Sequence, residues 1–230
     1  MIQLTSSDLI FILTRLPRDV VKMMRSKPIY LGGGFIRETI AGNKPSDIDL
    51  FGPNKDDLKS AALDFALSRE ARVHNTDNAV TVLSPPRLPV QFITKWCFDN
   101  AEDVCKSFDF TVCQVVVWFH NEKWHSLASD DFYVDLAVRC LVYTFPVREE
   151  AAGGSMLRVR KFLQRGYSIQ AGSLAGVITR LAMAVRWDEI YDGGKQVAQI
   201  IAGLLREVDP LMIIDGVEPI DEHEIIEGAV

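Results

Sequence analysis

Long hydrophobic runs and a basic leader are both missing from this 230-residue chain. No apolar stretch approaches the roughly 18 to 20 residues that a membrane-spanning helix needs, so we expect no integral membrane protein. The first residues, Met1 to Leu4, contain no basic residue followed by an apolar segment. We therefore expect no signal peptide and a cytoplasmic protein.

Cysteine is scarce, and its pattern excludes a metal or disulfide framework. The chain has four cysteines, and none forms a Cys-x-x-Cys pair or a spacing typical of a zinc site. We expect four reduced and mostly buried thiols. The four positions are Cys97, Cys105, Cys113 and Cys140.

The composition is that of a globular protein, with 48% hydrophobic and 24% charged residues. The net charge of −6 argues against a generic nucleic-acid binder. However, eight acidic residues and no Lys or Arg lie in residues 207–230. Removing these eight from the total of 31 leaves 23 acidic against 25 basic residues, so the negative charge belongs to the C-terminal segment and an RNA substrate stays possible.

The order of predicted elements indicates two domains and a tail. Apolar periodicity predicts mixed helices and strands up to residue 128 and helices afterwards. We expect domains over residues 1–128 and 129–208, followed by an acidic tail over 209–230. In chain order, the predicted elements are helix 6–25, strand 29–31, helix 35–41, strand 47–51, helix 55–72, strands 79–83, 88–96 and 108–119, a hairpin partner at 124–127, and helices 130–143, 155–165, 172–187 and 195–208.

One stretch combines glycines and paired carboxylates in a chemically meaningful order. Three glycines, Gly32 to Gly34, join a short strand to a helix, and this brings backbone N–H groups to a helix N-terminus, where a phosphate can bind. Asp47 and Asp49 follow in a strand, where residues i and i+2 point to the same side. Two adjacent carboxylates without nearby His or Cys favour Mg²⁺ or Mn²⁺. This combination predicts phosphoryl or nucleotidyl transfer.

The segment from Gly33 to Gly42, followed by Asp47-Ile48-Asp49-Leu50, resembles the head-domain signature of class II CCA-adding tRNA nucleotidyltransferases and bacterial poly(A) polymerases. These enzymes belong to the DNA polymerase β-like nucleotidyltransferase superfamily. The resemblance implies an α+β fold, in which a small mixed, palm-like sheet flanked by helices precedes a helical neck-like domain. It also implies two Mg²⁺ ions held by Asp47 and Asp49, which would be catalytic, and a triphosphate over Gly33 and Gly34.

The resemblance leaves two roles open for Arg37. In the first role, Arg37 would contact the phosphates or support the residues that contact them. In the second, it would form a structural ion pair with Glu38 or Asp47.

Later stretches extend the resemblance in the right order over about residues 29–170. Asp109-Phe110-Thr111 is similar to the family's ribose motif, and residues 135–139 and 157–167 are similar to its neck helices. Gln91 stands where the family often has Glu on its third strand, which makes Asp109 the candidate for a third catalytic carboxylate. Ser107-Phe108 replaces the family's Arg-Arg, which weakens the expectation of ribose recognition. The neck's template carboxylates are also missing.

Basic residues share one face of the predicted helix 155–165. Arg158, Lys161 and Arg165 follow the i, i+3, i+7 spacing of a helical stripe. Arg158 and Lys161 are therefore candidate nucleotide-binding residues, beside the alternatives of an RNA-backbone contact and an ordinary solvated face.

Together these patterns predict a metal-dependent nucleotidyltransferase. It would transfer NMP from an NTP to an acceptor hydroxyl and release pyrophosphate. The acceptor would be an RNA 3′ end, a small molecule or a protein. The alternative is a weakly active or inactive nucleotide- or RNA-binding module that keeps the head fold.

Overall fold

The computed structural model describes residues 1–146, 153–191 and 193–208, and the predicted acidic tail lies outside them. Contacts divide the chain into two units, Met1–Val147 and Arg148–Val230. Within the described ranges, none of the helices combines the length and apolar character needed to cross a bilayer.

Unit 1 is built on a seven-stranded mixed sheet with the order β3-β4-β5-β2-β1-β6-β7. Every neighbouring pair is antiparallel except β2 and β5, which are parallel. This confirms the predicted α+β class with a mixed sheet. The strands are β1 Tyr30–Gly32, β2 Ile48–Phe51, β3 Arg72–Asn75, β4 Ala79–Leu83, β5 Val90–Ile93, β6 Val115–His120 and β7 Lys123–Ala128, and a short β8 covers Cys140–Leu141.

Helices cover the two faces of this sheet unequally. We call the face of Leu31, Leu50 and Phe92 the core face, because these side chains are fully buried. There Phe65 of α4 meets Phe92 edge to face. The opposite face, which we call the site face, is packed by α5 through Val104. The helices of unit 1 are α1 Ser6–Arg15, α2 Arg18–Ser26, α3 Gly34–Ile40, α4 Lys55–Arg69, α5 Ala101–Lys106 and α6 Phe132–Val138.

Unit 2 is helical, as predicted for this part of the chain. Its helices α7 and α8 contact each other, and α9 contacts both. A backbone approach fixes one of these contacts, because a Cβ at Gly153 would lie 2.7 Å from the carbonyl oxygen of Leu204. The elements are α7 Gly154–Gln164, a short β9 Ser168–Ile169, α8 Ala171–Met183 and α9 Gly193–Val208.

The prediction of one helix over residues 6–25 is wrong. The chain forms α1 and α2, which are separated at Leu16 and Pro17. Pro17 has no N–H to donate, and it favours an extended conformation in the residue before it. Leu16 accordingly has φ −67° and ψ 140°, which ends α1.

The predicted strand 108–119 begins only at Val115. Polar side chains before it bond outside any strand ladder: Thr111 Oγ1 donates to Asp135, and Gln114 Nε2 donates to the Phe108 carbonyl. Residues Thr111–Cys113 form a 3₁₀ turn. The strand β6 is second from the sheet edge, because the hairpin partner β7 lies outside it.

The sequence patterns missed α5 and β3. Residues 70–72 were expected to continue α4, but Glu70 adopts a left-handed conformation that ends the helix, and β3 starts at Arg72. The hairpin is confirmed: Asn121 and Glu122 both have positive φ, as the tight turns between twisted strands require. All four cysteines are free; Cys97 is exposed and the other three are buried.

By contacts, the chain divides into its two units after Val147. Hydrogen bonds tie the segment before this division to unit 1. The Thr144 hydroxyl donates to the Phe108 carbonyl, and its backbone N–H donates to the Asp109 carbonyl. Helical periodicity from residue 130 onward gave no sign of these long-range bonds.

Gly33→Ala tests the turn between β1 and α3. Gly33 has φ +67° and ψ −120°, and a Cβ there would lie 2.9 Å from Phe108 Cε1. We expect a loss of about 2 to 4 kcal/mol in the free energy of unfolding, from backbone strain and overpacking together. Gly42→Ala is the control, because Gly42 also has positive φ but faces open space. Equal losses for the two variants in chemical denaturation would contradict the packing argument.

Candidate functional site

Asp47 and Asp49 lie on the site face, directly before and within β2. Between and after them, Ile48 and Leu50 are fully buried on the core face, so strand alternation turns both aspartates to the other side. Both aspartates are half-buried. In the sheet, Asp49 pairs with Gly32 on one side and with Gln91 on the other.

The electrostatics of this pair are unfavourable without a counter-charge. Burial and the negative charge of Asp47 raise the pKa of Asp49 well above its ordinary value, and the positive charge of Arg37 acts in the opposite direction. A divalent cation relieves such repulsion, and carboxylate oxygens suit Mg²⁺. Within the described residues no group of three or more His, Cys, Asp or Glu side chains is placed to hold a metal ion.

The glycine turn provides less free backbone than its sequence indicates. The Gly33 N–H donates to the Val115 carbonyl at 3.0 Å, so this amide is already used within the fold. A Cβ at Gly32 would lie 3.0 Å from Phe108 Cζ and equally close to Phe51. The lack of a side chain at these two glycines therefore makes room for the rings of Phe108 and Phe51. Space for a phosphate is not the only reason for glycine at these positions.

Gly34 is the glycine that lies beside the carboxylates. A Cβ there would lie 3.7 Å from Arg37 Nη2 and 4.0 Å from Asp47 Oδ1, so the turn, the arginine and the aspartate meet at this point. The sequence order of glycines and aspartates predicted this proximity.

Arg37 forms a buried ion pair with Glu38. Its Nη2 lies 2.8 Å from Glu38 Oε1, and its Nη1 donates to Cys113 Sγ at 3.2 Å. Asn43 Nδ2 donates to the other carboxylate oxygen of Glu38 at 2.8 Å. The ion pair with Glu38 that was considered for Arg37 is present, and the phosphate-facing role stays a prediction. The positive charge of Arg37 also lowers the pKa of Asp49. Arg37 therefore has an electrostatic effect on the aspartates in addition to its ion pair with Glu38.

The remaining predicted residues occupy different surroundings. Gln91 is half-buried in β5, in register with Asp49, as the resemblance implies for the third-strand position. Asp109 is only 1% exposed and follows the half-buried Phe108. Arg158 and Lys161 belong to α7 of unit 2, where Arg158 is half-buried and Lys161 is exposed.

Sequence reasoning missed the part that Phe108 plays at this site. Its ring packs on both glycines of the turn and meets Phe51 edge to face, with the ring centroids 5.7 Å apart. The signal was present, because the resemblance places an arginine at this position. What remained invisible was the contact with Gly32 and Gly33, which are 75 or more residues away in sequence.

A cavity of about 220 Å³ opens at the other end of β1 and β2. Its walls include Lys27, Gly52 and Asn54, and none of the predicted site residues. It is therefore separate from the carboxylate pair, which lies on the site face of the sheet.

Solved structures of CCA-adding enzymes share this fold. The Thermotoga maritima CCA-adding enzyme in complex with tRNA matches with a TM-score of 0.58 and 16% identity, over 80% of this chain and 46% of that chain. A CCA-adding enzyme in its apo form I matches with a TM-score of 0.59 and 17% identity, over 90% and 50%. A complex with CTP gives 0.55 and 18%, over 92% and 52%. The chain thus shares the fold of these CCA-adding enzymes.

The chain belongs to the Gabija anti-defense 2 family, whose model matches residues 7–139. A curated relative named Gabija anti-defense 2, from Bacillus phage SPbetaL7, is 25% identical over 159 residues. The match covers 67% of this chain and 37% of the relative, so the chain spans well under half of that protein's length.

Asp49→Asn tests the repulsion between the aspartates. Because the pKa of Asp49 is raised on folding, the folded state keeps a proton that the unfolded state releases as the pH rises above 3.8. The free energy of unfolding therefore falls as the pH rises through the window between 3.8 and the raised value. We expect Asp49→Asn to raise Tm by a few degrees at neutral pH in EDTA and to flatten this pH dependence.

Asp77→Asn is the matched control for this measurement, because Asp77 lies in the exposed turn between β3 and β4. Its Tm is expected to equal that of the wild type across the same pH range. A lower Tm for Asp49→Asn in EDTA would show that the carboxylate stabilises the fold rather than straining it.

Proposed function

We propose that this chain is a metal-dependent nucleotidyltransferase that transfers NMP from an NTP to an acceptor hydroxyl. The observation that carries the proposal is the Asp47 and Asp49 pair, two same-face carboxylates with an electrostatic conflict beside the Gly34 turn. The fold that the chain shares with CCA-adding enzymes supports it. Gly-rich turns beside paired carboxylates suit a triphosphate and its cation.

Each residue has a proposed task in the reaction. Asp47 and Asp49 would hold the divalent cation, Mg²⁺ or Mn²⁺, and Gly34 would lie next to the triphosphate. When bound, the cation supplies charge neutralisation at the phosphates and lowers the pKa of the acceptor hydroxyl. The acceptor oxygen forms a bond to the α-phosphorus while the bond to the β-phosphate oxygen breaks. Pyrophosphate leaves, and the hydroxyl proton passes to solvent.

Three further residues keep proposed roles that follow from the resemblance. Arg158 and Lys161 would contact the nucleotide, and the partial exposure of Arg158 and full exposure of Lys161 are compatible with such contacts. Asp109 would be a catalytic carboxylate. Its burial also favours a structural role within the segment Asp109-Phe110-Thr111.

The biological role we propose is to counter the Gabija defence. Family membership supports this role, as does the name of the phage relative. Since the chain spans only 37% of that relative, we propose the role for the catalytic head rather than for every activity of the longer protein.

A second candidate is a non-catalytic module that binds nucleotide or RNA. Gln91 favours it, because a neutral amide replaces the carboxylate that the resemblance places there. The occupied amide of Gly33 favours it as well. In that case the protein would act by sequestering a ligand and would not consume NTP.

Labelling with α-³²P-NTPs tests the catalytic proposal. We expect Mg²⁺-dependent incorporation of label into RNA, small molecules or the protein itself, and a loss of at least about 100-fold in Asp47→Asn/Asp49→Asn, because metal-held phosphate contributes several kcal/mol. Asp56→Asn/Asp57→Asn removes the same charge at the exposed start of α4 and serves as the control. Equal labelling by all three proteins would overturn the proposal.

Phage challenge separates the two candidates. In cells that carry Gabija, expression of the wild-type chain is expected to restore phage plating, and Asp47→Asn/Asp49→Asn is expected to abolish the effect. If the double variant still restores plating without any labelling activity, the binding module is the correct function. If the wild type itself fails to restore plating, the proposed biological role is wrong.

A further inference from the structure

The outward side of α2 carries charge of one sign only. Arg18, Lys22 and Arg25 of this helix are all exposed. Their spacing of four and then three residues places them within about 60° of one another around the helix axis. We call these three residues the basic stripe.

The opposite side of α2 belongs to the core of unit 1. Val20, Met23 and Met24 are buried, and helical spacing places them on the side that faces away from the basic stripe. The packing of these three side chains therefore fixes the stripe on the surface of the protein.

The basic stripe and the carboxylate pair lie on opposite sides of the sheet. Phe119 of β6 belongs to the core face, because it lies two residues beyond Val117, which pairs with Leu31. The Arg25 guanidinium lies over the rings of Phe119 and Trp124, at 5.6 and 6.0 Å from their centroids. Helix α2 therefore packs on the core face, and the sheet separates it from the site face.

No acidic side chain neutralises the basic stripe. Within the described residues, none of its three side chains forms an ion pair. The one acidic residue of α2, Asp19, is already bound by Arg69, whose Nε and Nη2 donate to its two oxygens at 2.7 and 2.9 Å. Arg87 Nη1 lies 3.9 Å from the same carboxylate. The stripe thus keeps its full positive charge for a partner outside the chain.

Helix α4 shows how an ordinary solvated face of this protein differs. Its first turns expose Lys55 and Lys59 together with Asp56 and Asp57, so the two signs alternate. Mixed charge of this kind keeps a surface soluble without a strong field of either sign. The basic stripe of α2 has no such mixture.

The chemistry of the stripe discriminates among anionic partners. Stable attachment to a lipid surface needs an apolar helix face beside the charge, and that face of α2 is buried in the core. The centre of a protein–protein interface is depleted of charged residues, whereas protein–nucleic acid interfaces are strongly positive. The stripe extends about 10 Å along the helix axis, which matches about three successive phosphates of a duplex strand.

We propose that the basic stripe binds the phosphodiester backbone of a nucleic acid. The guanidinium and ammonium groups contact phosphate oxygens and no base edges, so binding is independent of sequence. The stacking of Arg25 on two rings holds its guanidinium in place and reduces the entropy lost on binding. The surface needs neither the aspartates nor a divalent cation, and it does not depend on the proposed function.

Fluorescence anisotropy tests the surface with two probes, a short fluorescein-labelled DNA duplex and a single-stranded RNA of the same sequence. The measurement is made in EDTA without NTP, so that no cation is bound at the carboxylate pair. We expect Arg18→Gln/Lys22→Gln to weaken binding of the tighter probe about tenfold, and to lower the slope of log K against log salt by about two. The tighter probe identifies which nucleic acid supplies the backbone.

Lys55→Gln/Lys59→Gln is the matched control. It removes two positive charges with the same four-residue spacing from the exposed side of α4, so the net charge changes equally in both variants. Its affinity for both probes is expected to equal that of the wild type. Melting curves of both variants check that the fold is intact.

Several results would overturn the inference. These are a wild type that binds neither probe, an unchanged affinity in Arg18→Gln/Lys22→Gln, and equal losses in the two variants. Displacement of the probe by poly-L-glutamate as effectively as by unlabelled duplex, at equal charge concentration, would show a surface for acidic polypeptides instead. Since no step of this measurement involves NMP transfer, its failure and the failure of the proposed function are distinguishable.

Discussion

The placement of β2 between β1 and β5 is the constraint on which the site depends. Pairing on both sides puts Gly32, Asp49 and Gln91 at one level of the sheet. A slip of one residue in β2 would turn both aspartates into the core and Leu50 out of it. The burial of Ile48 and Leu50 therefore fixes the orientation of the carboxylates as firmly as it fixes the core.

The site combines this rigid placement with an unfavourable charge arrangement. Asp47 and Asp49 repel each other, and Arg37, whose guanidinium is bound to Glu38, offsets only part of that repulsion. Folding thus holds together charges that would separate in an unfolded chain. Functional sites commonly contain such locally destabilising charge arrangements, because the surrounding structure supplies the stability of the fold.

Much of this could be predicted from the sequence because the decisive signals are local. The glycines of the β1–α3 turn, the alternation in β2 and the boundaries of β4 each depend on neighbouring residues. Periodicity could not place the helix ends at Pro17 and Glu70 or the late start of β6. It reports the spacing of apolar residues, but it does not report the N–H donor that proline lacks or the distant hydrogen-bond partner of a polar side chain. Phe108 shows the same limit, since its contact with Gly32 and Gly33 is purely tertiary.

The sequence by itself determined the kinds of chemistry available: two same-side carboxylates, a glycine turn and no third acidic residue at position 91. Only the tertiary structure decided how those groups are used. It committed the Gly33 amide to Val115, paired Arg37 with Glu38, and brought Gln91 into register with Asp49. The physical reason is that residue spacing fixes which side of one strand a group faces, whereas register and long-range hydrogen bonds fix its neighbours.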